Sequence, residues 1–125
     1  MTLAARALAQ LASWPDLMEA APSCGTGQAL SSAQGEIAHF HSGRDVDLRL
    51  TAGAIRRLAG DLRRFAAIRL VPGSQWVTLR LDASADVDLL MTLVSVALQA
   101  QQRAPEDARP FPGCNDCRGV GFFRA

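Results

Sequence analysis

Residues 36–41 and 45–50 alternate apolar and polar side chains on either side of Ser42-Gly43-Arg44, and that pattern leaves a chain few options. Period-two alternation marks a strand with one buried face, and a three-residue connection containing Gly joins two such strands as an antiparallel hairpin. The connection pairs His41 with Asp45, His39 with Asp47 and Ile37 with Arg49 on one face. Ala38, Phe40, Val46, Leu48 and Leu50 then share the other face, which is the expected core side.

The remaining elements follow from the same two periodicities. A second hairpin runs through residues 67–71, a Pro72-Gly73 turn and residues 75–81. Its register sends Ile68, Leu70, Val77, Leu79 and Leu81 to the core, and Arg69, Val71, Trp76, Thr78 and Arg80 away from it. Leu3, Ala7, Leu8, Leu11, Trp14 and Met18 are spaced as a helical stripe. Pro15 breaks that helix near Ser13, with one more helical turn expected through Met18. Thr51 caps a helix whose stripe is Ile55, Leu58, Leu62 and Phe65, and Ser84 caps a last helix lined by Val87, Leu90, Met91, Val94, Leu98 and Gln101. A short edge strand fits residues 28–32. The expected fold is α+β: an antiparallel sheet of four or five strands in hairpins, packed on one face by two or three helices.

A chain of 125 residues supports one core, so the expected organisation is a single domain over residues 1–103 and a Pro/Gly/Cys-rich tail over residues 104–125. The net charge of +1 supplies no field to hold nucleic acid or an anionic membrane, so neither is an expected partner. Arg6, Gln10 and Ser13 interrupt the Ala/Leu-rich opening, which therefore reads as neither a signal peptide nor a span; the cytoplasm is the expected location.

The polar face of the sheet is where chemistry could reside. A carboxylate opposite a histidine fixes its tautomer and raises its basicity, and His39-x-His41 on a strand points both rings the same way. The candidate ligand-binding residues are His39, His41, Asp47, Trp76 and Arg80; no catalytic residue is assigned. The bland alternative is a solvated sheet face with cross-strand ion pairs. Trp76 argues for a covered or ligand-binding face, because an indole is poorly spent on water.

Several stretches together resemble one family. Trp14-Pro15 after an opening helix, the loop around Gly25 and Gly27, residues 36–41, the helix from Ala52, residues 72–77 and Asp86-Val87 are similar to the small bacterial luciferase-domain proteins. The resemblance implies a shared compact fold and pocket, with residues Glu36, Ile37, His39 and His41 as its site-like motif. It also implies oxygenase-type chemistry on a small molecule without metal or flavin, since the family takes its name from fungal luciferases of that kind. The chain departs from that chemistry in having no histidine beyond His41.

In the tail, residues 114–121 fit Cys-x-x-Cys-x-Gly-x-Gly and resemble one zinc-binding repeat unit of DnaJ-type chaperones. Cys114 and Cys117 at that spacing hold one side of a tetrahedral zinc, and completion needs Cys24, a histidine or a second chain. Otherwise the thiols are free or redox-paired. The first functional expectation is therefore a small-molecule-binding domain without a cofactor. The alternative is a non-enzymatic interaction module, self-associating through its tail or docking by its Arg-rich helix, with zinc at Cys114 and Cys117 as a stabiliser.

Overall fold

The computed structural model describes residues 2–22, 27–103 and 114–115. The Thr2 hydroxyl accepts from Ala5 N at 3.0 Å and starts α1 (Leu3–Ala12), whose Ala4, Ala7, Leu8 and Leu11 form one buried stripe. The chain then departs from expectation: residues Met18–Ala20 form strand β1, not a further helical turn. They pair antiparallel with β2 (Gln28–Ser32), which would otherwise present unpaired backbone groups at the sheet's edge. Ladder hydrogen bonds outweigh a helical turn that Pro15 has already cut off from its helix.

The expected hairpin forms as β3 (Gly35–Phe40) and β4 (Asp45–Arg49), with Ala38, His39 and Phe40 opposite Leu48, Asp47 and Val46. Its apolar face is as read, with one correction. Opposite β2 the pairing shifts from Leu30↔Ala38 to Ser31↔Glu36, so Ile37 is the extra residue of a bulge. Ile37 is fully buried in the core and does not share the polar face with Arg49.

Helix α2 (Ala52–Leu62) follows, capped by Thr51, whose Oγ1 accepts from Ala54 N. Thr51 holds φ at +80°, and Gln75 O fixes that bend by accepting from both Leu50 N and Thr51 N. The helix stops before Phe65, which is 44% exposed and not part of the buried stripe. The second hairpin, β5 (Ile68–Leu70) and β6 (Trp76–Arg80), has the expected register: Ile68 opposite Leu79, Arg69 opposite Thr78, Leu70 opposite Val77. β6 adds to β4, giving one six-stranded antiparallel sheet in the order β1-β2-β3-β4-β6-β5. The expected α+β architecture is thus observed, with one strand more than the upper expectation.

The last helix, α3 (Ser84–Arg103), lies across β3, β4 and β6 and packs against α1 and α2. Val87, Leu90, Leu93, Val94, Ala97 and Leu98 join Phe40, Val46, Leu48, Val77 and Leu79 in a single hydrophobic cluster. Leu70, on the edge strand, is only half-buried. Among the described residues no helix is long and apolar enough to cross a membrane.

Candidate functional site

The sheet face opposite the helices is not a wetted surface. His39 and Asp47 are 0% exposed and Thr78 and Trp76 are 1% exposed, although strand alternation turns all four away from the helix-packed core. Cys114 and Asn115, brought in from the C-terminal segment, lie against this face and are themselves fully buried. Covering a polar face raises the stakes, because each buried donor or acceptor must be matched.

Asn115 does much of that matching. Its Nδ2 donates to Trp76 O at 3.0 Å and to Thr78 Oγ1 at 3.1 Å, and its Oδ1 accepts from Ser74 Oγ at 2.6 Å. The Thr78 hydroxyl in turn donates to Asp47 Oδ1 at 2.5 Å. The other oxygen of Asp47 lies 3.0 Å from His41 Nε2. Register places Asp47 beside His39, yet its carboxylate reaches His41; the bond is diagonal, which a two-residue offset on a twisted pair allows.

Cys114 Sγ closes the array, 3.3 Å from His41 Nε2 and 3.4 Å from His39 Nδ1. The two rings are tilted by 39° with centroids 4.0 Å apart, and each presents one nitrogen to the sulfur. Glu36 Oε1 stands 3.8 Å from His39 Nδ1. It also faces Arg49, whose guanidinium burial pushes below its ordinary pKa while the Glu36 charge opposes that shift. Arg49 is fully buried and donates to Glu36 O, Gln34 O and Gln101 Oε1.

The residues singled out from sequence thus divide. His39, His41, Asp47 and Cys114 meet. Trp76 borders them, its carbonyl held by Asn115. Arg80 does not join: it sits opposite Asp45 at the other end of β6, with Nε 3.7 Å from Asp82 Oδ2, beside the Arg44–Asp82 pair. Cys117 lies outside the described residues, as do Cys24 and most of the expected tail. Sequence reasoning placed Thr78 on the right face without assigning it a role. It passed over Asn115, since nothing in an Asn between two cysteines signals partners 37 to 41 positions away.

His41 also borders a groove of about 300 Å³ lined by Thr2, Ala5, Gly27, Gln28, Ser42 and Gly43. Gly27 holds φ at +79°, and a Cβ there would collide with Phe40 O and come within 3.3 Å of His39 Nε2. Gly27→Ala should therefore lower stability by roughly 1–3 kcal/mol, read by chemical denaturation. A loss near zero would mean that this loop can move away from the histidines.

Asp47→Asn tests the array itself. Thr78 can still donate to an amide oxygen, but the amide nitrogen then faces His41 Nε2 as a donor. The expected result is a loss of about 1–3 kcal/mol and an altered His41 tautomer in long-range proton–nitrogen NMR correlations. An unchanged tautomer would show that Asp47 does not orient the ring.

The family model of the luciferase domain matches residues 34–97, just over half of the chain. The matched span contains His39, His41, Asp47, Trp76 and Arg80 and leaves Cys114 and Asn115 outside it. Among curated proteins and solved structures, none matches the chain.

Proposed function

Because this chain belongs to the luciferase-domain family, we propose that it is a small-molecule-binding domain whose site is the covered polar sheet face, reached beside His41. The observation that carries this reading is the gathering of two imidazoles, a carboxylate and a thiol on one buried face that borders a groove. A purely structural core is built more cheaply from apolar side chains, whereas ligand sites combine a shaped cavity with a few convergent polar groups. His39, His41 and Asp47 form the centre, Trp76 a wall, and Arg80 a flanking charge away from the centre. Proton transfer through His41, oriented by Asp47, is the chemistry this arrangement offers a bound ligand. Activity does not follow from the fold, so binding is the primary claim.

Native mass spectrometry of the purified full chain tests it. An organic adduct, or one acquired from a panel of small carbonyl and hydroxypyrone compounds, is expected, and His41→Gln should lose it while circular dichroism stays unchanged. An adduct held equally by His41→Gln and His39→Gln would move the site elsewhere.

The interaction-module reading retains one observation in its favour. A groove of about 540 Å³ runs between α2 and the β5–β6 turn, lined in part by Ile55, Arg56, Arg63, Leu70 and Pro72. Arg56→Glu with Arg63→Glu is the test of choice, because removing the tail would also uncover His39 and Asp47. If this groove mediates self-association, light scattering should report a lower mass for that variant than for the unmodified chain.

A further inference from the structure

His39, His41 and Cys114 come from two separate parts of the chain, yet one nitrogen of each ring and the sulfur all lie within 4.8 Å of one another. Residues two apart on a strand have Cα atoms about 6.6 Å apart, so the two imidazoles must converge to share one point, and their ring centroids do close to 4.0 Å. Here they present different atoms, Nδ1 from His39 and Nε2 from His41, to the same sulfur. We infer that His39 Nδ1, His41 Nε2 and Cys114 Sγ are the protein ligands of a zinc-type transition-metal site that fastens the C-terminal segment onto the sheet.

Distance supports the assignment. Tetrahedral zinc with bonds of about 2.3 Å to sulfur and about 2.0–2.1 Å to nitrogen holds its sulfur and nitrogen ligands about 3.5 Å apart. The two S···N separations are 3.3 and 3.4 Å. Chemistry supports it as well. Thiolate with imidazole selects zinc and similar borderline metals over magnesium or calcium, which require oxygen. Charge is the third argument: a dication among neutral imidazoles is balanced by the Cys114 thiolate and the fully buried Asp47 carboxylate. Asp47 Oδ2, 3.0 Å from His41 Nε2, stands where a fourth ligand would be found, since a carboxylate that only oriented the ring would accept from its other nitrogen.

This site differs from a Cys-x-x-Cys half-site, because its partners for Cys114 are the strand histidines and it requires neither Cys117 nor a second chain. A metal on His41 Nε2 would exclude the proton transfer proposed above for that nitrogen, so the two are alternatives for His41, and the metal is read directly whether or not a small molecule binds. The experiment uses the full chain carrying Cys24→Ser and Cys117→Ser, leaving Cys114 as its sole thiol, stripped by chelation and titrated with cobalt(II) alone. The expected result is a thiolate-to-cobalt charge-transfer band and tetrahedral ligand-field bands that saturate at one equivalent per chain. Adding Cys114→Ser should abolish the charge-transfer band, and His39→Gln or His41→Gln should weaken cobalt binding at least tenfold. No charge-transfer band in the single-thiol chain, or saturation at half an equivalent, overturns the assignment. Should these substitutions compromise folding, X-ray absorption of the unmodified zinc-loaded chain decides: imidazole with sulfur ligands supports the site, and an all-sulfur shell overturns it.

Discussion

Leu79→Ala should lower the stability of the folded chain by about 2–5 kcal/mol, measured by urea denaturation with the slope unchanged. Leu79 is fully buried on β6, the strand next to the sheet's edge, opposite Val46 of β4 on one side and Ile68 of β5 on the other. It belongs to the cluster that α3 closes. Removing its branched end strips away apolar contact and leaves a cavity bounded by three strands and a helix, elements that can collapse only partly. Arg69, an exposed neighbour on β5 opposite Thr78, provides the control: Arg69→Ala should fall within about 0.5 kcal/mol of the unmodified chain. Equal losses at the two positions would mean that the second hairpin does not hold this register.

Arg49→Met should cost about 2–4 kcal/mol, a result that depends on which of two opposing effects prevails. Burial of the guanidinium is itself unfavourable and pushes its pKa below the ordinary value, so a methionine of similar reach recovers desolvation energy. Three acceptors remain behind, however: Glu36 O, Gln34 O and Gln101 Oε1, at 2.8, 3.0 and 3.2 Å from Arg49 in the native fold. A buried acceptor left without a donor costs about 1–3 kcal/mol, and two of these three are only part-buried, which keeps the total below a simple sum. The pairing with α3 can be isolated. Gln101 Nε2 donates to Arg49 O while its oxygen accepts from the Arg49 side chain, so Arg49 ties β4 to the end of the last helix. In a double-mutant cycle with Gln101→Leu, the coupling should be about 1 kcal/mol. Additive losses would show that the helix end is held by packing alone.

Both outcomes bear on the site, because Arg49 and Leu79 secure the strands that carry it. Arg49 anchors the β2–β3 turn through Gln34 and Glu36, and Glu36 stands beside His39. Leu79 neighbours Thr78, whose hydroxyl holds Asp47.

Much of this was legible in the amino-acid order. Period-two alternation around Ser42-Gly43-Arg44 and Pro72-Gly73 determined both hairpins and their registers, because slipping either by one residue would turn its whole apolar set to the wrong face. Helical stripes over residues 3–11, 55–62 and 87–98 determined the three helices, though Ser84 is the first residue of the last helix and not a cap before it. Of the residues carrying the luciferase-domain resemblance, 36–41, the helix from Ala52, 72–77 and Asp86-Val87 fall within the span that matches the family, and Trp14-Pro15, Gly25 and Gly27 lie outside it. Where local signals were weak, tertiary contacts prevailed. Residues Met18–Ala20 carry no strand signature of their own and became a strand because β2 offered an edge. Ile37 left the polar face because a bulge on β3 inserted one residue that alternation cannot anticipate. Phe65 continued the helical stripe on paper but lies beyond the helix end. The site divides in the same way. Alternation put His39, His41, Asp47 and Thr78 on one face, since strand geometry acts on neighbours. Only the folded chain could bring Cys114 and Asn115 onto that face, choose His41 over His39 for Asp47, and leave Arg80 with Asp82. The first of these depends on packing between segments some 75 residues apart, and the others on how side chains divide among nearby partners once the sheet has formed, neither of which a local pattern encodes.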